Sequence, residues 1–123
     1  MAARSTNITI VNNTTLDLIL ESASVTDGIW SPGSYPQSPI AAGTKGSWQS
    51  ESDGVMTGTE GNVTYHFQIP AGPVYINWDN PYVGNNGYSI ITPAGYTLQQ
   101  TGGDGDNATV TFTLSPNPGK NAQ

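Results

Sequence analysis

Apolar positions alternate with polar ones along most of this chain, and almost nowhere do they recur at helical spacing. Residues 7–11 (NITIV) are β-branched and alternating. After a polar turn at Asn12, Asn13 and Thr14, Leu16, Leu18 and Leu20 alternate with Asp17, Ile19 and Glu21. Val63, Tyr65, Phe67 and Ile69 alternate with Thr64, His66 and Gln68; Val110, Phe112 and Leu114 alternate with Thr109, Thr111 and Thr113. Between these runs lie clusters of turn formers: SPGSYPQSP, ESDG, GTEGN, IPAGP and GGDGDN. Short strands separated by regular turn signals predict an all-β fold, a single antiparallel β-sandwich. The fifteen glycines and nine prolines punctuate these turns, so they do not signal disorder.

The chain of 123 residues shows no internal repeat and no linker, so one domain is expected, its core spanning about residues 6–115. Residues 30–37 are expected to form a surface loop, and residues 116–123 a flexible tail. There is no cysteine, hence no disulfide and no thiolate metal site. No apolar run is long enough to span a bilayer. Residues 1–11 (MAARSTNITIV) run into a strand pattern without an apolar h-region, so no classical signal peptide is expected. Sequons begin at Asn7, Asn12, Asn13, Asn62 and Asn107, and the abundance of Asn and Thr accounts for them without glycosylation.

Charge narrows the chemistry further. Nine carboxylates against Arg4, Lys45 and Lys120 give a formal net charge of −6. That sign repels phosphate backbones and argues against nucleic acid as a partner. It also argues against a polybasic grip on anionic bilayers. His66, the single histidine, shares a strand face with Thr64 and Gln68 and reads as a solvent-side residue. Ser-His-Asp and zinc constellations have little to build from. Asp104 and Asp106 fall in GGDGDN, where a hairpin turn between residues 96–100 and 108–114 explains them without calcium. Glu51, Asp53 and Glu60 read as solvated loop acids. No catalytic residue, metal or cofactor is expected, and the chain is read as not an enzyme.

One segment stands out against this plain background. Residues 74–89 (VYINWDNPYVGNNGYS) begin as a strand, with Val74, Ile76 and Trp78 on one face and Tyr75, Asn77 and Asp79 on the other. At Asn80-Pro81 the pattern breaks into a loop that carries Tyr82, Asn85, Asn86 and Tyr88. Rings interleaved with amides, on a loop fixed by a strand, suit a ligand that is part apolar and part polar. Phe67, Phe112 and Trp78 alternate into apolar faces and read as core. Trp30, Tyr35, Tyr82 and Tyr88 sit among Gly, Pro, Asn and Ser, and roughly half of such loop aromatics are expected to fold back as plugs.

In order along the chain stand NITIVNNT, GIW with a Pro-rich loop, PIAAGTKGSWQSESDG, GTEGNVTY and INWDNPYVGNNGYS. From about residue 6 to 114 this order resembles the aegerolysins, small β-sandwich lipid-binding proteins, and more distantly the actinoporin-like cytolysins. Residues 58–61 match an aegerolysin turn that precedes a strand; Trp78, Pro81, Tyr82 and Tyr88 match a Trp-x-x-Pro-aromatic segment with a later aromatic. Pro81, Tyr82, Tyr88 and Ser89 are similar to the actinoporin stretch that lines a phosphocholine pocket, with a loop one residue longer. Only about six residues precede the first strand here, against the N-terminal amphipathic helix that actinoporins insert into bilayers.

The resemblance implies non-enzymatic recognition of a membrane-lipid headgroup. Pro81, Tyr82 and Tyr88 would supply ring faces, with Trp30 and Trp78 beside them, and Asp79, Asn80, Asn85, Asn86 and Ser89 the polar contacts. A zwitterionic headgroup suits the negative chain, its cationic end lying against the rings. The resemblance also implies a cytolytic or insecticidal system with a larger pore-forming partner of the membrane-attack-complex/perforin type, acting outside the cell at a target membrane. The alternative from the same loop is a lectin, a Tyr or Trp stacking on a sugar flanked by Asp and Asn. Low charge density and Asn/Thr-rich faces also permit self-association.

Overall fold

A computed structural model describes residues 2–119 as nine strands and no helix. The strands are β1 (Ser5–Asn12), β2 (Ile19–Asp27), β3 (Ile29–Trp30), β4 (Lys45–Glu51), β5 (Thr59–His66), β6 (Pro73–Asn80), β7 (Gly87–Ile91), β8 (Tyr96–Gly102) and β9 (Asn107–Pro116). They form two sheets, one in the order β3-β4-β1-β9-β8 and the other β2-β5-β6-β7. The all-β sandwich expected from the alternation is therefore the observed architecture, with one pairing of the other sense. β1 and β9 run parallel, Ser5 opposite Asn107 through Asn12 opposite Leu114. The first and last strands thus pair within the first sheet. β9 forms an antiparallel hairpin with β8, as the turn signal GGDGDN predicts.

The inward residues are those the alternation selects. Ile8 and Ile10 of β1, Val63 and Tyr65 of β5, Val74, Ile76 and Trp78 of β6, and Val110, Phe112 and Leu114 of β9 are all fully buried. An aromatic chain crosses the core: Trp48 lies 5.9 Å from Tyr65 and 6.3 Å from Trp78, centroid to centroid. Trp48 comes from β4 (KGSWQSE), where Gly and Ser stand in for apolar neighbours and so conceal a strand. Leu18 is buried just ahead of β2, held by a bridge to Ile40. Beyond it β2 continues as ESASVTD, mostly exposed, with register shifts between Leu20 and Ser22 and between Val25 and Asp27.

Three boundaries differ from the sequence expectation. Residues 58–61 are not a turn, because Thr59, Glu60 and Gly61 already belong to β5. Gly61 faces inward opposite Trp78, and a Cβ there would sit 2.6 Å from Trp78 Cζ2. The glycine makes room for an indole in mid-strand. Tyr88 and Ser89 lie on β7, paired with Trp78 and Asn77, so the loop after Asn80 is only residues 81–86. Trp30 belongs to β3, and the rest of its loop is tied down by Tyr65, whose hydroxyl donates to Gln37 O at 2.6 Å. Of the expected tail, Pro116 closes β9 and Asn117 N donates to Gly95 O, while residues 120–123 lie outside the described residues.

Candidate functional site

Three connections meet at one end of the sandwich: residues 52–58 between β4 and β5, 81–86 between β6 and β7, and 103–106 between β8 and β9. The first two touch backbone to backbone at Gly58. A Cβ on Gly58 would stand 2.8 Å from Pro81 Cα and 2.9 Å from Tyr82 N, so only glycine permits the approach. Arg4 then clips all three together. Its backbone N donates to Ser52 Oγ (3.0 Å), and Ser52 N donates back to Arg4 O (2.9 Å). Its guanidinium donates through Nη2 to Tyr82 O (2.7 Å), lies 4.5 Å from the centre of the Tyr82 ring, and pairs with Asp106 at 3.5 Å.

The loops fixed in this way present large apolar side chains to solvent. Val55 is 85% exposed, Val83 83% and Met56 69%; Ile29 and Tyr82 are also exposed. Met56 adopts φ of 56°, the left-handed region that a side-chain-bearing residue seldom occupies. Ala2, Ala3, Ile29, Val55, Met56 and Tyr82 line one open cleft of about 560 Å³, with Glu51 and Asp53 on its polar side. Across the end, Pro81, Gly84, Asn85, Asn86, Asp104 and Asp106 line a second, polar cleft. Its carboxylates make that side acidic.

The residues singled out in the sequence divide sharply in this setting. Trp78 is fully buried and donates Nε1–H to Ser50 Oγ at 2.8 Å, so it supports the site from within and cannot touch a ligand. Asn80 is also buried: its amide donates to Ser5 O (3.0 Å) and Asp106 O (2.9 Å), which spends it on joining β1 to the β8–β9 turn. Asn86 donates to Gly103 O (2.9 Å) and Gly105 O (2.8 Å), a second tie to the same turn. Tyr88 donates its hydroxyl to Gly103 O (2.8 Å) and sets its ring edge-on against Phe112. Burial first, then Asp104 nearby, pushes the Tyr88 hydroxyl up to about 12, the bond from Asn86 opposing. Trp30 packs 6.0 Å from Trp78 and edge-on to Tyr35. Asp79 and Ser89 face outward from the second sheet, away from its interior.

Pro81, Tyr82 and Asn85 therefore remain free at the exposed end, and Asn86 lines the polar cleft there with its amide N–H groups already spent. Tyr82 keeps its place there, but one face of its ring is already covered by the protein's own cation, Arg4. Of the four loop aromatics, Trp30 and Tyr88 are plugs, while Tyr35 and Tyr82 stay exposed. Val55, Met56, Val83 and Arg4 went unnoticed in the sequence. The signal was present in DGVMTG, an apolar pair within turn formers, where packing gives no reason for it. Among the described residues no three His, Cys, Asp or Glu side chains converge as a metal site, and no helix is long and apolar enough to cross a membrane.

The fold is that of a solved β-sandwich protein. The crystal structure of Nakanori, a lipid binding protein, superimposes with a TM-score of 0.78 over 94% of this chain and 72% of Nakanori, at 11% sequence identity. At that identity the likeness is one of fold. An uncharacterized protein of Dictyostelium discoideum is 30% identical over 118 residues, which is 92% of this chain. The chain spans only about a tenth of that relative's length, 10% of it. No family model matches the chain.

Proposed function

We propose that this protein is a non-enzymatic lipid-binding module that docks on membranes through the loop end of its sandwich. The observation that carries this is the set of exposed apolar side chains, Val55, Met56, Tyr82 and Val83, held on two loops that Gly58 and Arg4 lock together. Large apolar side chains on turn tips destabilise nothing when solvated singly, but clustered they mark a surface that meets another apolar phase. Met56 holds the left-handed backbone at a place where a glycine would fit without strain, so its side chain is carried at a conformational cost. The lipid binding protein with the same fold supports the choice of a bilayer as that phase.

Glu51, Asp53, Asp104 and Asp106 ring this end, so the preferred surface is zwitterionic and not anionic. A headgroup enters between the apolar tip and those acids, with Tyr82 and Pro81 as the remaining ring contacts. The aegerolysin-like role, as the recognition component of a cytolytic system with a larger perforin-type partner acting outside the cell, belongs to this proposal. A lectin fits the geometry less well, because Asn80 and Asn86 spend their amides on backbone carbonyls.

Sedimentation with phosphatidylcholine vesicles, beside phosphatidylserine vesicles and a glycan array, tests it. Burying a valine is worth about 1.5–3 kcal/mol, so V55D together with V83D lowers affinity at least a hundred-fold. Binding to phosphatidylcholine depends little on salt, since no basic patch contributes. Undiminished vesicle binding by the folded double variant, or binding to glycans alone, overturns the proposal.

A further inference from the structure

The two sheets have four edge strands, and two of them carry recognisable protection against pairing with another chain. β3 is two residues long. β2 is broken by two register shifts and carries Glu21 and Asp27. The third, β8, lacks charge, proline and bulge, but its exposed Gln99, Gln100 and Thr101 are polar and offer no apolar surface to a partner. The fourth, β7 (GYSII), has no charge, no proline and no bulge, and it carries exposed Ile90 (42%) and Ile91 (54%). Among the described residues no other strand or loop bonds to its outer side.

We infer that β7 is a self-association edge, and that its occupant is a second copy of this chain paired antiparallel about a two-fold axis at Ser89. An edge strand offers a row of unpaired N–H and C=O groups that an identical antiparallel strand satisfies reciprocally. In this register Tyr88 of each copy faces Ile90 of the other and packs its ring on it, while Ile91 lies over the bare backbone of Gly87. Charge favours the same register. Asp27, Glu60 and Asp79 form one row across β2, β5 and β6 that ends at Gly87, whereas Ile91 ends a row with Ser22, Thr64 and Tyr75. Antiparallel pairing therefore extends the acidic row of one copy into the uncharged row of the other, which keeps two chains of net charge −6 from opposing like rows. The seam is only five residues long, so the dimer forms reversibly with concentration. Because residues 81–86 lie at the start of β7, the two loop ends point to opposite poles, and a dimer that binds membranes as proposed above would bridge two of them.

Sedimentation equilibrium without lipid tests the dimer separately from membrane binding. The wild-type mass is expected to rise from one chain to two with concentration, while I90K and I91K stay monomeric with unchanged circular dichroism. The chain has no cysteine, and S89C places one thiol beside its own copy at the two-fold, within disulfide reach. Mild oxidation should cross-link S89C far faster than T109C on the other sheet. A wild-type chain that stays monomeric at every concentration, or S89C and T109C cross-linking alike, overturns the inference. A dimer that binds phosphatidylcholine vesicles without clustering them overturns the antiparallel arrangement, whereas one that binds none refutes membrane docking alone.

Discussion

Residues 52–58 (SDGVMTG) and 102–106 (GGDGD) are two glycine- and aspartate-rich turns at the same end of the molecule, and the fold treats them oppositely. The second is bound into the framework. Its carbonyls at Gly103, Gly105 and Asp106 accept from Tyr88, Asn86 and Asn80, and the Asp106 carboxylate meets Arg4. The first is held at Ser52 by Arg4 and at its own base, where Thr57 Oγ1 donates to Gly54 O (2.9 Å). Between those anchors Val55 and Met56 touch almost nothing. A polar turn that satisfies its neighbours is scaffold; an apolar turn held at its feet and free at its tip is available for contact.

The largest expected effect separates the two turns by stability. Asn80→Ala removes the buried amide that donates to the Ser5 carbonyl and leaves the Asp106 carbonyl with Ser5 N–H alone, costing about 2–3 kcal/mol. Thermal denaturation should then show Tm lowered by roughly ten degrees. Substituting Val55 or Met56 by Ser should change stability by no more than about 0.5 kcal/mol, as for any exposed position. Equal losses from both would mean that the two turns are alike and that the apolar tip is structural.

A smaller effect probes the same framework through pH. The Tyr88 hydroxyl is raised from 10.0 to about 12, chiefly by burial, so the folded chain holds its proton where the unfolded chain releases it. Its contribution is complete below pH 10 and is lost as pH climbs through 12. Tyr65, raised further by burial and by Tyr35, adds to the same alkaline loss. Tyr88→Phe removes the bond to Gly103, about 1 kcal/mol at neutral pH, and flattens part of the slope between pH 10 and 12. Chemical denaturation across that range measures both.

The same contrast explains how far the sequence could be read. Alternation finds β1, β5, β6 and β9, because each buries every second residue against the core. It misses β4 and most of β2, where Ser and Gly face the interior or the strand lies on an exposed edge, and packing writes no pattern. The 74–89 segment was legible as a special place, yet aromatic and amide residue types do not disclose which way they point. Trp78 and Asn80 alternate inward with β6, so the strand period itself assigns them to the interior. Arg4 is invisible as a site residue because Asp106 is brought to it only by the parallel meeting of β1 with β9, and Tyr82 only by the packing of the second sheet on the first.

The smallest prediction concerns carboxylates that the framework answers and those it does not. Asp106 is met by Arg4, whereas Asp79 stands in register with Glu60 and Asp27 and has no cation beside it among the described residues. Partial burial, then Glu60, then Asp27, raise the Asp79 carboxyl above its ordinary 3.8. A raised carboxyl means the unfolded chain ionises first. Ionised Asp79 therefore opposes folding at neutral pH, and that opposition fades as pH falls through its folded value. Asp79→Asn should stabilise the protein at pH 7 by roughly a few tenths of a kcal/mol, because like charges directly opposite on a sheet are unfavourable and solvent screens this exposed row. The gain should shrink in high salt and vanish near pH 3, where the wild-type carboxyl is already neutral. A loss of stability in Asp79→Asn at pH 7 would show that the carboxylate serves the outer sheet face as an acceptor, and that its neighbours cost it nothing.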